Sequence, residues 1–95
     1  MGYPTDPASS NGTSAMLILA EVGLEVTESF NLGYGNFHSA HEGYAIIQEE
    51  MDELKAHVWM KQKNRDLAAM RKEALQVAAM AVKFIQSLDA GNGRV

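Results

Sequence analysis

His41 to Leu54 reads HEGYAIIQEEMDEL and sets four acids, Glu49, Glu50, Asp52 and Glu53, within five positions. Like charges one turn apart oppose helix formation, yet the apolar residues around them keep helical time. Immediately upstream, Ser39-Ala-His-Glu42 is a capping box: the Ser39 hydroxyl accepts from the amide of Glu42 and the Glu42 carboxylate reaches back. From there Tyr44, Ile47, Met51, Leu54 and Val58 are spaced 3, 4, 3, 4, which predicts a helix running to about Gln62 with those five as its packing seam.

Downstream, QKNRD makes a turn, and Asp66 caps a further helix carrying Leu67, Met70, Ala74, Val77, Ala81, Phe84 and Leu88, with Gly91 as its stop. This last helix has a second apolar row, Leu75, Ala78, Val82 and Ile85, so it needs partners on two sides. Upstream, Ala15, Leu19, Val22 and Val26 recur at helical spacing from about Ser14 to Ser29, beside an acidic stripe of Glu21, Glu25 and Glu28. NLGYGN then reads as a loop, and residues 1–13, rich in Pro, Gly, Ser and Asn, as a disordered tail outside a single helical domain over 14–90. The expectation is an all-α fold: an antiparallel helical hairpin plus an N-terminal helix. Three helices leave apolar surface over, so the hairpin is expected to assemble into a dimeric or tetrameric bundle; a monomeric, Ala-rich three-helix bundle is the weaker alternative.

A chain of 95 residues is one domain, near the lower end of what a single core stabilises. With no Cys, carboxylates and three His are the only strong metal ligands. The apolar run from Met16 to Ala20 is too short to span a membrane and lacks a preceding basic residue, so a cytoplasmic location is expected. Residues 1–54 hold nine acids and no Lys or Arg, while residues 55–95 hold three acids and all eight bases. Such blocks are usually solvated faces or complementary packing within a dimer, and no basic face points to nucleic acid.

If the two later helices form a hairpin turning near residue 63, residues at one height have numbers adding to about 125. Met51 is then level with Ala74, Val58 with Leu67 and Tyr44 with Ala81; Glu53 stands level with Glu73, and Glu50 with Gln76. Each of these last four residues precedes a seam residue by one, about −100° around its helix, so all four side chains are expected on one flank. Three carboxylates and an amide oxygen repel or waste one another there unless a hard divalent cation sits among them. The ordinary alternative is a solvated face neutralised by Lys55 and Lys61.

An EExxE on one helix followed by an ExxD on the next resembles the MazG-like, all-α nucleotide pyrophosphohydrolases. Here the first element is Glu49-Glu50-Met51-Asp52-Glu53 and the second Glu73-Ala74-Leu75-Gln76; FHSAHEGYAIIQEE and RKEALQVAAMAVKFI look like a short branch with Gln in place of the ExxD aspartate. The similarity covers roughly residues 30–88. It implies a Mg²⁺-dependent enzyme, with Mn²⁺ as the alternative ion, that hydrolyses a nucleoside triphosphate to the monophosphate and pyrophosphate as a homo-oligomer. By position it implies Glu50, Glu53 and Glu73 as metal ligands and Gln76 at the fourth carboxylate's place, with Glu49 as a further ligand or the residue that orients a water.

Gln76 departs from the motif, because an amide offers one neutral oxygen where aspartate offers a charge. The rival expectation is therefore a catalytically weakened relative acting as a nucleotide-binding or helical dimerisation module. Lys83, seven residues after Gln76 on the same stripe, is a candidate phosphate contact or simply a solvated lysine; His57, one turn beyond Glu53, is a candidate for binding water or substrate. Arg71 and Lys72 could serve a neighbouring subunit, and His38 and His41 could line a base pocket with Tyr44 and Trp59. No Ser/His/Asp arrangement, P-loop or dinucleotide turn is present.

Overall fold

The computed structural model describes residues 12–91. They form helices α1 (Ala15–Asn31), α2 (Ala40–Val58) and α3 (Leu67–Ala90), with a single 3-10 turn (Gln62–Asn64) before α3 and no strand among the described residues. Of the expected tail, residues 1–11 lie outside the described part.

Each helix starts where a short polar side chain can take an orphan amide. The Ser14 hydroxyl accepts from Leu17, Ser39 from Glu42 at 3.0 Å, and the Asp66 carboxylate from Ala69 at 3.0 Å. The return arm of the capping box is displaced by one residue: the Glu42 carboxylate accepts from the amide of His38 and pairs with its ring at 3.1 Å. α2 stops at Val58, short of the expected Gln62, because the Arg65 guanidinium folds back to donate to the Val58 carbonyl at 2.7 Å and caps the helix there.

α3 is the centre of the molecule. α1 and α2 each pack on it and do not touch one another. Along α1 the contacts climb together, Glu21 with Arg71, Glu25 with Gln76 and Ser29 with Lys83, so α1 runs parallel to α3. Phe37 meets Ser87, Gly43 meets Phe84 and Glu53 meets Glu73, so α2 runs antiparallel to it. Val22 and Val26 bury against Ala79, with Leu75, Ala78 and Val82 of the second apolar row packed around them, whereas Ile85 of that row stays exposed.

The expected seam is kept in part: Ile47 and Leu54 of α2 and Met70, Val77 and Phe84 of α3 are half-buried, and the rest of it faces outward. Tyr44, Met51 and Val58 are exposed, as are Leu67, Ala74, Ala81 and Leu88 on α3; the buried or half-buried side of α2 is Gly43, Ile46, Ile47, Glu50, Leu54 and His57. The cause is Gly43. A Cβ there would lie 2.5 Å from the Phe84 ring and 2.8 Å from that of Phe37, so only glycine lets the helix approach these two rings, and α2 turns by roughly a fifth of a turn to present it. This rotation carries Glu50 from the flank into the helix–helix contact. Among the described residues no helix is long and apolar enough to cross a membrane.

Candidate functional site

Because α1 and α2 stand apart on α3, an open cleft of about 1010 Å³ runs between them. Its floor is Gln76, Met80 and Lys83 of α3; Glu25, Glu28 and Ser29 of α1 form one wall and Glu42, Ile46, Glu49 and Glu50 of α2 the other; the loop over 32–38 closes one end. The Ser87 hydroxyl holds that loop down, accepting from the Phe37 amide at 2.9 Å while donating to the Lys83 carbonyl at 2.7 Å. Both groups are buried, so neither bond can be exchanged for water.

Between α2 and α3, Glu50, Glu53 and Glu73 converge, one ligand atom of each lying within 4.8 Å of the others; Glu50 lines the cleft, whereas Glu53 and Glu73 lie beyond its lining. Glu50 and Glu53 are one turn apart on α2, and Glu73 is level with Glu53 across the antiparallel pair. Burial raises the pKa of the Glu50 carboxyl above its usual range, and Glu53, Glu73 and Glu49 add to the rise. Burial and then Glu53 raise that of Glu73, against weaker pulls from His57 and Lys72. Lysine neutralisation of this face is not what is found: Lys55 lies over the Trp59 ring, 5.6 Å from its centroid, and the ion pairs among the described residues are Arg71–Glu21 and His38–Glu42. Three oxygen donors in this state suit a hard divalent cation, which favours carboxylate oxygens and stabilises their ionised form.

The other candidates fall as follows. Glu49 is exposed on the cleft wall beside Glu50. Gln76 lines the cleft, but its amide nitrogen donates to Glu25 at 2.9 Å, which leaves only the carbonyl oxygen for a cation. His57 is half-buried, with its Nδ1 buried and without a hydrogen-bond partner, rather than on an open flank. Lys83 is not a solvated lysine: it is 3% exposed, its Nζ donates to the Ser29 hydroxyl at 2.8 Å, and it lies 5.2 Å from the Phe30 ring centroid and 5.3 Å from that of Phe37. Burial pushes its pKa down, opposed by Glu42. Among the described residues no carboxylate forms an ion pair with it.

Arg71 is held by Glu21 at 3.0 Å and so is committed within its own chain. His38 lines the cleft, but Tyr44 and Trp59 do not, because the rotation of α2 leaves both on outer surfaces. Glu25, Ser29, Phe37 and Ser87 are the site residues the sequence reading missed. The acidic stripe on α1 was visible, but nothing in it said that α1 would lie parallel to α3 and aim Glu25 at Gln76.

No family model, curated protein or solved structure matches the chain.

Proposed function

We propose that the protein is a divalent-cation-dependent nucleotide pyrophosphohydrolase, using Mg²⁺ or Mn²⁺ to convert a nucleoside triphosphate and water to the monophosphate and pyrophosphate. The observation that carries this reading is the convergence of Glu50, Glu53 and Glu73, of which Glu50 lines a cleft of small-molecule size that also holds a buried lysine with no carboxylate partner among the described residues. The resemblance of the two acidic motifs to the MazG-like enzymes supports it. In this reading Glu50, Glu53 and Glu73 would hold the cation, and Gln76 stands at the place of the motif's fourth ligand. A divalent ion held by these residues would supply neutralisation of phosphate oxygens and a lowered pKa for an attacking water. Glu49, exposed next to Glu50, orients that water and takes its proton. Lys83 meets an anionic group of the substrate, which replaces the missing carboxylate. His57 steadies Glu73 from behind rather than touching substrate.

A thermal-shift panel of nucleoside triphosphates with and without Mg²⁺, followed by detection of released pyrophosphate, tests the proposal. The expected outcome is a metal-dependent shift that Glu50→Ala with Glu53→Ala abolishes; a shift that survives the double change removes these ligands from the account. A second reading is favoured by Gln76, whose amide is spent on Glu25: a weakened relative that binds nucleotide, or only assembles, without turnover. Binding with no pyrophosphate from any nucleotide supports it.

A further inference from the structure

We infer that the substrate carries a second anionic group beyond its triphosphate, and that Lys83 is the residue that selects for it. The inference rests on the reading above, in which the triphosphate lies at Glu50, Glu53 and Glu73. Glu50 is level with Gln76 and Glu53 with Glu73, so the stretch of α3 from residues 73–76 to Lys83, about 10–15 Å of helix axis, separates the acidic cluster from this lysine. The Lys83 side chain does not reach back across that gap. Its Nζ donates to the Ser29 hydroxyl at 2.8 Å and lies 5.2 and 5.3 Å from the centroids of the Phe30 and Phe37 rings. The Phe37 backbone is fixed in turn by the buried Ser87 hydroxyl. Phosphates gathered on one ion stay close to the carboxylates that hold it. The group that meets Lys83 therefore belongs to the sugar or base end of the nucleotide.

The state of the lysine says what that group is. Lys83 is 3% exposed yet lines the cleft. An ammonium offers three donors and no acceptor, and among the described residues its hydrogen-bond partner is a neutral hydroxyl. The two aromatic rings stabilise its charge only weakly, and no described carboxylate forms an ion pair with it. A cation taken out of water with so little compensation is costly, and burial accordingly pushes its pKa down. An anion brought by the substrate removes that cost and engages the remaining donors, so a charged group gains more here than a neutral hydroxyl or carbonyl oxygen. The acids at the same end do not cancel this. Glu28 is exposed, and Glu42, whose side chain is 39% exposed, already accepts from the His38 amide and pairs with the His38 ring. Water screens both carboxylates far more than it screens the buried lysine. Two chemistries place an anion at this point: a phosphate on the ribose, or a base that is itself ionised or bears a carboxylate.

Matched pairs of nucleotides test this, each measured with Mg²⁺ for Kd and for pyrophosphate release. GTP is set against its 3′-phosphate and against xanthosine triphosphate, whose base ionises near neutral pH, and UTP is set against orotidine triphosphate, which adds a carboxylate. In at least one pair the doubly anionic member should bind about tenfold more tightly or better, the scale of one hydrogen bond to a charged group. A preference in the first pair assigns the anion to the sugar, and one in the other pairs assigns it to the base. Lys83→Met, which keeps an apolar stem of similar length, should bring that ratio down to about threefold or less. Should the variant lose helicity, the ratios of the unaltered protein still decide. Ratios near one in every pair, with GTP or UTP bound and hydrolysed, overturn the inference and leave the hydrolase reading standing. A preference that Lys83→Met leaves unchanged does the same. Failure of every nucleotide to bind overturns both.

Discussion

Gln76 holds two positions at once: the fourth place of an acidic motif and the hydrogen-bond partner of Glu25. An amide can donate to that carboxylate, and an aspartate cannot. Gln76→Asp therefore sets two anions together in the metal-free protein and should lower its stability by about 0.5 kcal/mol, the scale of an exposed like-charge pair. With Mg²⁺ the sign reverses, since the added charge strengthens cation binding. Thermal denaturation with and without Mg²⁺ checks this: the variant's midpoint should lie below the unaltered protein's in chelator and shift upward more on adding metal. An equal fall in both conditions would show that residue 76 has no part in cation binding. The four motif residues were legible from the sequence because register across a hairpin needs only numbers that add up. Glu25 was not, since its role comes from a helix some fifty positions away.

At the scale of the element, the helices announced themselves through their caps. Ser39 and Asp66 accept from the amides that the spacing assigned to them, since capping is a contact over three residues and short-range chemistry decides it. Which side of α2 would be buried was another matter. Periodicity marked a row through Tyr44, Ile47, Met51, Leu54 and Val58, of which Ile47 and Leu54 are half-buried and the others exposed; a glycine adds nothing to an apolar pattern, and Gly43 is where α2 meets the Phe37 and Phe84 rings, themselves 6.4 Å apart. Gly43→Ala should cost about 1–3 kcal/mol from overpacking, reduced by up to about 1 kcal/mol through alanine's better helix propensity. Chemical denaturation measures the net, and hydrogen exchange should show the amide of Phe37 losing protection. A neutral or stabilising Gly43→Ala would mean that the rings give way freely and do not set the rotation of α2.

For the whole molecule, the cluster of Glu50, Glu53 and Glu73 ties stability to pH. Glu50 and Glu73 have pKa values raised above 4.5, so the metal-free fold favours their protonated forms. Their contribution to stability is present below about pH 4.5 and is lost as pH rises through the elevated folded values. Glu53→Gln removes the neighbour that both carboxyls share. The stability difference between variant and unaltered protein should therefore grow in the variant's favour from about pH 4.5 towards neutrality in chelator, and invert when Mg²⁺ is present at neutral pH. A difference that stays flat across this range would mean the three carboxylates do not interact in solution.

What the sequence determined by itself was local or simply additive: three helices, their starts, the antiparallel turn, and the levels at which Glu50, Glu53, Glu73 and Gln76 stand. These depend on capping and on a constant rise per residue, which need no knowledge of the rest of the chain. Only the tertiary structure decided that α1 runs parallel to α3 and leaves a cleft, that Lys83 is buried without a carboxylate partner among the described residues, and that Tyr44, Met51 and Val58 of the best-patterned apolar row face outward while Ile47 and Leu54 do not. Those outcomes were settled by which surfaces could approach most closely, with glycine, two phenylalanines and a buried serine choosing between faces of nearly equal hydrophobicity.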